Sequence, residues 1–206
     1  MADLSETEKS SNPHKLLKLA NDVGLLKRVA RTGWVRRGVD KAESVAEHSY
    51  RMGMLAMLYA PLATEKKLDV EKCIKIGLVH DLAEGVVGDL VVSGSTECRD
   101  KITEEEKAAR EERAMKSMFA ETRPDLVETW AEYENQTSDE ARFMKDLDRL
   151  EMLIQADEYE EEQPSKRLDD FYRSTDGCFK SEVAKSIDAL LRERKAERDR
   201  KRKREE

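Results

Sequence analysis

Cys73-Ile74-Lys75-Ile76-Gly77-Leu78-Val79-His80-Asp81-Leu82-Ala83-Glu84, followed shortly by Gly88-Asp89-Leu90, sets a histidine and three carboxylates at the end of an apolar run. Ile76, Leu78, Val79 and Leu82 embed the segment, and the pattern predicts a helix capped by Asp69 and running to about Ala83. An adjacent His-Asp pair on such a segment is costly to bury unless something compensates its charge. A divalent cation does so. The chain has only three histidines, which makes the position of His80 informative.

Working outward towards the N-terminus, Leu16, Leu19, Ala20, Val23, Leu26 and Val29 recur at helical steps and predict an amphipathic helix. Arg31-Thr32-Gly33-Trp34-Val35-Arg36-Arg37-Gly38 is basic and glycine-punctuated, and reads as a loop. Its tryptophan is either the anchor of a surface turn or a contact for a phosphate or base. Ser44-Val45-Ala46-Glu47 is a capping box that opens a second helix, with His48 in its first turn. Met52, Leu55 and Tyr59 continue that face, so His48 points to the core. Alone, such a histidine is more often a hydrogen-bonded core residue than a ligand. Pro61 closes the helix.

Towards the C-terminus, Gly85 to Leu90 breaks the helical pattern, and Val91 to Lys101 is polar enough for a mobile loop or lid. Thr103-Glu104-Glu105-Glu106 is a second capping box, opening a charged helix through Ala114 and Met118, and Pro124 suits the first turn of the next helix. Ser138 to about Glu162 predicts a long helix with Phe143, Leu147, Leu150 and Ile154 on its apolar side, ended by Pro164. Ser165 to Lys180 reads as irregular, and Val183, Ile187, Leu190 and Leu191 mark a last amphipathic helix. Arg192 to Glu206 carries mixed charge and reads as a solvated helical extension or a tail. No repeat and no strand stands out. The reading is one all-α domain over 13–191, with a flexible 1–12 before it and the charged 192–206 after it.

Composition agrees with a charged helical domain, at 38% hydrophobic, 40% charged and 5% aromatic residues in 206. A formal net charge of -7 argues against a general nucleic-acid binder, although a local basic patch can still hold a small phosphate ligand. Cys73, Cys98 and Cys178 are widely spaced with no CxxC, which suggests neither a disulfide framework nor a thiolate zinc site. No stretch has the length and apolarity of a membrane span, and the polar opening residues resemble no leader, so the expected location is the cytosol. Lys201-Arg202-Lys203-Arg204 leaves a nuclear location open.

Neighbouring residues on a helix project about a hundred degrees apart, so His80 and Asp81 share an ion only along the helix flank. Other helices must complete the shell. His48 can add an imidazole, and Asp146 or Asp148 from the long helix a carboxylate. Mixed nitrogen and oxygen ligation fits Mn, Fe, Co, Ni or Zn, and a carboxylate-rich second site suits Mg or Mn. Glu84, on a continuing helix, emerges beside His80 and Asp81, where it can orient or deprotonate water. Asp89 can protonate a leaving oxygen or bind a second ion. Taken singly, Glu84 reads as a lysine partner and Asp89 as a turn former.

Glu43-Ser44-Val45-Ala46-Glu47-His48, Val79-His80-Asp81-Leu82-Ala83-Glu84, Gly88-Asp89-Leu90 and Lys145-Asp146-Leu147-Asp148 together resemble the signature of the HD-domain metal-dependent phosphohydrolases. The likeness is nearest to the 5′-deoxynucleotidase subgroup and covers roughly Leu16 to Phe179. Leu26 to Val35 and Leu168-Asp169-Asp170-Phe171-Tyr172 resemble that subgroup outside the metal motif. The resemblance implies an HD-type helical bundle and a divalent cation held by His48, His80, Asp81 and Asp148. Asp148 is preferred to Asp146 because the family's ligand stands three residues after a basic or polar position, here Lys145. Glu84 and Asp89 are then expected to serve water activation, leaving-group handling or a second ion. Arg31 and Trp34 are expected near the nucleotide, with Arg31 neutralising charge that builds on the phosphoryl oxygens. The implied reaction is hydrolysis of a deoxyribonucleoside 5′-monophosphate without a covalent intermediate, by a homodimer. A phosphodiesterase, a nucleoside triphosphate hydrolase and a non-catalytic metal-binding regulatory protein are the alternatives.

Overall fold

A computed structural model describes residues 12–91 and 102–205. The expected flexible start and the polar loop after Val91 lie outside the described residues, apart from Asn12 and Val91 themselves. Helix α1 (Pro13–Gly24) begins at a proline in the first position, with the Asn12 side chain accepting from the His14 N–H. It is shorter than the periodicity predicts. Leu25–Arg28 tightens to a 3₁₀ turn, and Val29 is extended. Ala30 then pairs with Ser44 as an isolated antiparallel bridge, with Arg31 N–H donating to the Glu43 carbonyl and Val45 N–H to that of Val29. This bridge pins the Arg31 segment to the start of the next long helix. The segment expected to be a loop contains the short helix α2 (Thr32–Arg36). Gly38, at φ +65°, lies in the left-handed region just past its end, where a side chain would be strained.

Helix α3 (Val45–Tyr59) opens with the predicted capping box, the Ser44 hydroxyl and Glu47 carboxylate each satisfying the other's backbone N–H. Helix α4 (Val70–Val79) opens on the Asp69 cap. The two lie closely antiparallel. A Cβ at Gly77 would sit 3.1 Å from the Gly53 nitrogen and from the Met144 methyl, so only glycine lets the backbones approach this far.

The helix carrying Cys73 and Ile76 ends at Val79, four residues before the predicted end, and His80 to Ala83 form a tight turn with three-residue hydrogen bonds. The Gly77 carbonyl, which a continuing α-helix offers to the Asp81 N–H, receives the His80 Nδ1–H at 2.9 Å. Helix α5 (Glu84–Val87) follows directly. Helices α6 (Glu104–Phe119) and α7 (Pro124–Asn135) pair with each other over a second small core of Met115, Phe119 and Trp130 with Val79 and Leu82.

Helix α8 (Asp139–Glu162) runs through the main core, where its Met144, Leu147, Leu150 and Leu153 are fully buried with Met52 of α3 and Ile76 of α4. The predicted irregular region contains α9 (Asp169–Ser174), which buries Tyr172 after a buried Leu168. Helix α10 (Glu182–Glu205) packs along α8 and continues through the charged residues. That continuation is docked and not simply solvated, since Lys195 pairs with the buried Glu160 at 3.2 Å and Arg198 with the buried Asp157 at 2.5 Å. The fold is an all-α bundle with no strand among the described residues. No described helix is long and apolar enough to cross a membrane.

Candidate metal centre

The first turn of α3, the end of α4 and the middle of α8 bring His48, His80, Asp81 and Asp148 to one point. The two imidazole Nε2 atoms are 3.2 Å apart, and His48 Nε2 is 3.4 Å from Asp148 Oδ1 and 3.6 Å from Asp81 Oδ2. His80 Nε2 is 3.1 Å from Asp81 Oδ2. A carbonyl can only accept, so the bond to Gly77 places the hydrogen of His80 on Nδ1. His48 Nδ1 lies 2.7 Å from Glu151 Oε2, which fixes that ring the same way. As neutral rings, both therefore present Nε2 lone pairs to each other and to two carboxylates. Four acceptors converge with no donor among themselves, which is the arrangement a cation resolves. His48, His80 and Asp148 have ligand atoms within 4.8 Å of one another.

Asp146, the sequence's other candidate on α8, goes elsewhere. Its Oδ2 accepts the N–H groups of Lys180 at 2.6 Å and Ser181 at 2.7 Å and so anchors the entry to α10. Glu43 also stands near His48 and Glu151 but takes the Trp34 indole N–H at 2.9 Å.

Further residues hold these four side chains in place. Glu151 is fully buried and accepts from Arg51 Nε at 2.7 Å as well as from His48. The Tyr133 hydroxyl donates to Asp148 Oδ2 at 2.8 Å and accepts from Lys145, which itself lies 3.3 Å from Asp148. Burial and the nearby Arg31 oppose a charge on His48, yet Glu151 and Asp148 outweigh them and push its pKa up to about 10. The carboxylates around His48 thus favour positive charge at this point. Burial also disfavours charge on Asp148 and Asp81, but Lys145 with His48 for the first, and His80 with His48 and Arg31 for the second, hold both pKa values below the usual range.

Above this point opens a cavity of about 620 Å³, lined by Asp81 and Asp148 with the cations Arg31, Lys107 and Lys145. Glu84 is 3% exposed, and its Oε2 is buried without a hydrogen-bond partner on the cavity wall. In the tight turn Asp81 and Glu84 are three apart and eclipse, so they share one side. Burial, with Asp81 and Asp89 adding repulsion, pushes the Glu84 pKa well up. Asp89 also lines the cavity, and its Oδ2 accepts the Thr32 N–H at 2.6 Å, tying the start of α2 to the turn after Gly88. Arg31 reaches Asp81 at 3.3 Å; although burial disfavours its charge, Asp81, Asp148 and Asp89 raise its pKa. Trp34 is 1% exposed, packed at 4.2 Å on Phe171, and forms part of the cavity wall from within the core.

A sequence model of the family described as HD domain matches residues 23–190. The chain belongs to the HD-domain family. The HD-domain protein is 46% identical over 187 residues to mouse 5′-deoxynucleotidase HDDC2, covering 88% of this chain and 89% of the relative. It is 40% identical over 197 residues to 5′-deoxynucleotidase YGK1 of Saccharomyces cerevisiae, covering 90% and 87%. Among solved structures it resembles a conserved hypothetical protein from Pyrococcus furiosus, with a TM-score of 0.69, 31% identity, and coverage of 87% of this chain and 99% of that one.

Sequence reasoning missed several residues that the HD-domain protein places around the centre. Glu151 stands three residues after Asp148 on the same helical face, a spacing that was available as a signal. Lys107 and Glu111 lie in a helix whose charge density hides them. Tyr133 carried no signal beyond its helical phase.

Proposed function

We propose that the chain is a metal-dependent 5′-deoxynucleotidase, converting a deoxyribonucleoside 5′-monophosphate to the nucleoside and phosphate. The observation that carries this reading is the convergence of two oriented imidazoles and two carboxylates beneath a cavity flanked by three cations. The names borne by the mouse and yeast relatives favour the substrate class. His48, His80, Asp81 and Asp148 would hold the ion, taken from Mn, Co, Mg, Fe, Ni or Zn. When bound, it supplies positive charge that acidifies water and offsets charge on the phosphoryl oxygens.

The chain's own groups do the rest. Arg31, Lys107 and Lys145 attract the phosphate dianion and hold it over the centre. Glu84, with a buried oxygen free of other partners, orients the attacking water and takes its proton. Asp89 holds the α2 segment that carries Arg31, and with Glu84 it is the expected place for any second ion. Trp34 and Phe171 form the apolar wall beside the sugar and base. The reading includes a homodimer and a cytosolic location, tested by light scattering and by imaging of the tagged chain.

Purified protein is assayed for phosphate release from ribo- and deoxyribonucleoside monophosphates with each metal in turn. The expected result is release from the deoxy series, with much less from the ribo series and none from His80→Ala. Absence of release from folded, metal-loaded protein would refute the reading.

A further inference from the structure

Glu111 is a buried carboxyl that neither the metal centre nor the fold uses. It lies on α6, one turn beyond Lys107, is 5% exposed, and forms part of the cavity wall. The other carboxylates of this helix go to solvent or to surface pairs, as Glu106 does with Arg110 and Glu112 with Lys116. Among the described residues the ion pair of Glu111 is with Lys107, at 3.5 Å. The same lysine lies 3.8 Å from Glu84, so it stands between the two carboxyls. Apart from the metal cluster and Glu84, Glu111 is the most buried carboxyl of the cavity.

The chemistry leaves a position open. A nucleoside 5′-alkoxide leaves poorly and needs a proton as the P–O bond breaks. In an in-line displacement the leaving oxygen departs opposite the attacking water. Glu84, on the water's side, cannot serve both ends. Asp89 has one oxygen taken by the Thr32 N–H and is kept in this reading for the α2 segment and any second ion, and the guanidinium and ammonium groups hold their protons tightly. Glu111 lines the cavity with Lys107 between it and Glu84, and its environment suits it to hold a proton. Burial raises its pKa, Lys107 offsets part of that, and Glu134 and Asp81 add to it, to give about 7. The charged groups around it are thus Lys107 on its own helix, Glu84 on the far side of that lysine, Asp81 on the same cavity wall, and Glu134 from α7.

We infer that Glu111, presented by Lys107, is the general acid that protonates the leaving 5′-oxygen. The inference rests on the nucleotidase reading above. Water forms the new P–O bond and gives a proton to Glu84. The P–O5′ bond breaks with its electron pair passing to O5′, which takes the Glu111 proton and departs as the alcohol. Glu111 is left as a carboxylate beside Lys107, and the proton on Glu84 returns through solvent to Glu111 before the next turnover. Lys107, besides attracting the phosphate, positions Glu111 by its ion pair at 3.5 Å.

The test compares a deoxynucleoside 5′-monophosphate with its 5′-S-phosphorothiolate analogue, whose thiolate departs without a proton. Metal-loaded Glu111→Gln keeps the side-chain volume. Its kcat on the oxygen ester is expected to fall about 10²-fold, and its loss on the sulfur ester to be at least ~10-fold smaller. Lys107→Met, which also removes a phosphate contact, is expected to lose activity on both esters and more on the oxygen ester. An active wild type with equal losses on both esters, or no loss on either, overturns the assignment. A wild type inactive on both esters overturns the nucleotidase reading itself, and the acid with it.

Discussion

Glu151→Gln is the most informative perturbation of the ligand-holding layer, because it keeps the shape of a fully buried side chain and removes only its charge and one acceptor. In the native protein His48 Nδ1 lies 2.7 Å from one carboxylate oxygen, and Arg51, through Nε and a terminal nitrogen, 2.7 Å from the other. The glutamine amide offers one acceptor and one donor, so one of those N–H groups meets another N–H. Arg51 has Gln155 and Glu158 as further partners, whereas His48 Nδ1 has no other hydrogen-bond partner among the described residues. Whichever way the amide turns, the imidazole loses the carboxylate that orients it and raises its basicity. Losses of this kind weaken metal binding about 10- to 100-fold, equivalent to about 1.4–2.8 kcal/mol. Calorimetric titration of metal-free protein with Mn²⁺ measures it. The pH profile of metal-free stability gives a second reading. The folded pKa of His48 is raised to about 10, so its contribution is fully present below the unfolded value and is lost as pH rises through the folded one. Between about pH 6.5 and 10 the melting temperature of wild type should fall, and that of Glu151→Gln should fall less. Unchanged Mn²⁺ affinity in a variant that still melts cooperatively would show that Glu151 does not support the centre.

Asp146→Ala and Asp148→Ala should separate structure from site. The first strands two backbone N–H groups, costs about 1–3 kcal/mol for each in chemical denaturation, and leaves metal binding intact; the second keeps the fold and loses the metal. Cys73 is fully buried, and burial together with Glu140 and Asp69 pushes its thiol up to about 12. In native protein at pH 8, mass spectrometry should find it unalkylated, and alkylated only after denaturation. Arg198→Ala leaves Asp157 with Arg194 as its remaining ion-pair partner among the described residues and should cost about 1.5–3 kcal/mol in urea unfolding.

The bundle was legible because its helices announce themselves. Capping residues at Ser44, Asp69, Thr103 and Ser138 and prolines at 61, 124 and 164 mark boundaries that the structure keeps to within a residue or two. The end of α4 was not legible, since the bond that stops it comes from the His80 ring and involves no proline or helix-breaking residue. His80 and Asp81 stood out as polar residues in an apolar run. Choosing Asp148 over Asp146 needed the family resemblance, because both lie near the buried side of α8 and only their partners separate them. Glu111 and Lys107 were hidden among like neighbours, and charge density alone cannot tell a solvated face from a cavity wall. The docked end of α10 was hidden for the same reason, although Asp157 and Glu160, continuing the apolar phase of Leu150 and Leu153, did hint that cations would be needed there.

The most direct measurement is a titration of chelator-stripped protein with Mn²⁺, following phosphate release from a deoxynucleoside 5′-monophosphate at each addition. If His48, His80, Asp81 and Asp148 hold the catalytic ion, activity rises from the metal-free baseline in step with bound metal and saturates, while His80→Ala and Asp148→Ala stay flat. Release that is independent of metal, or that survives in both variants, would contradict the account.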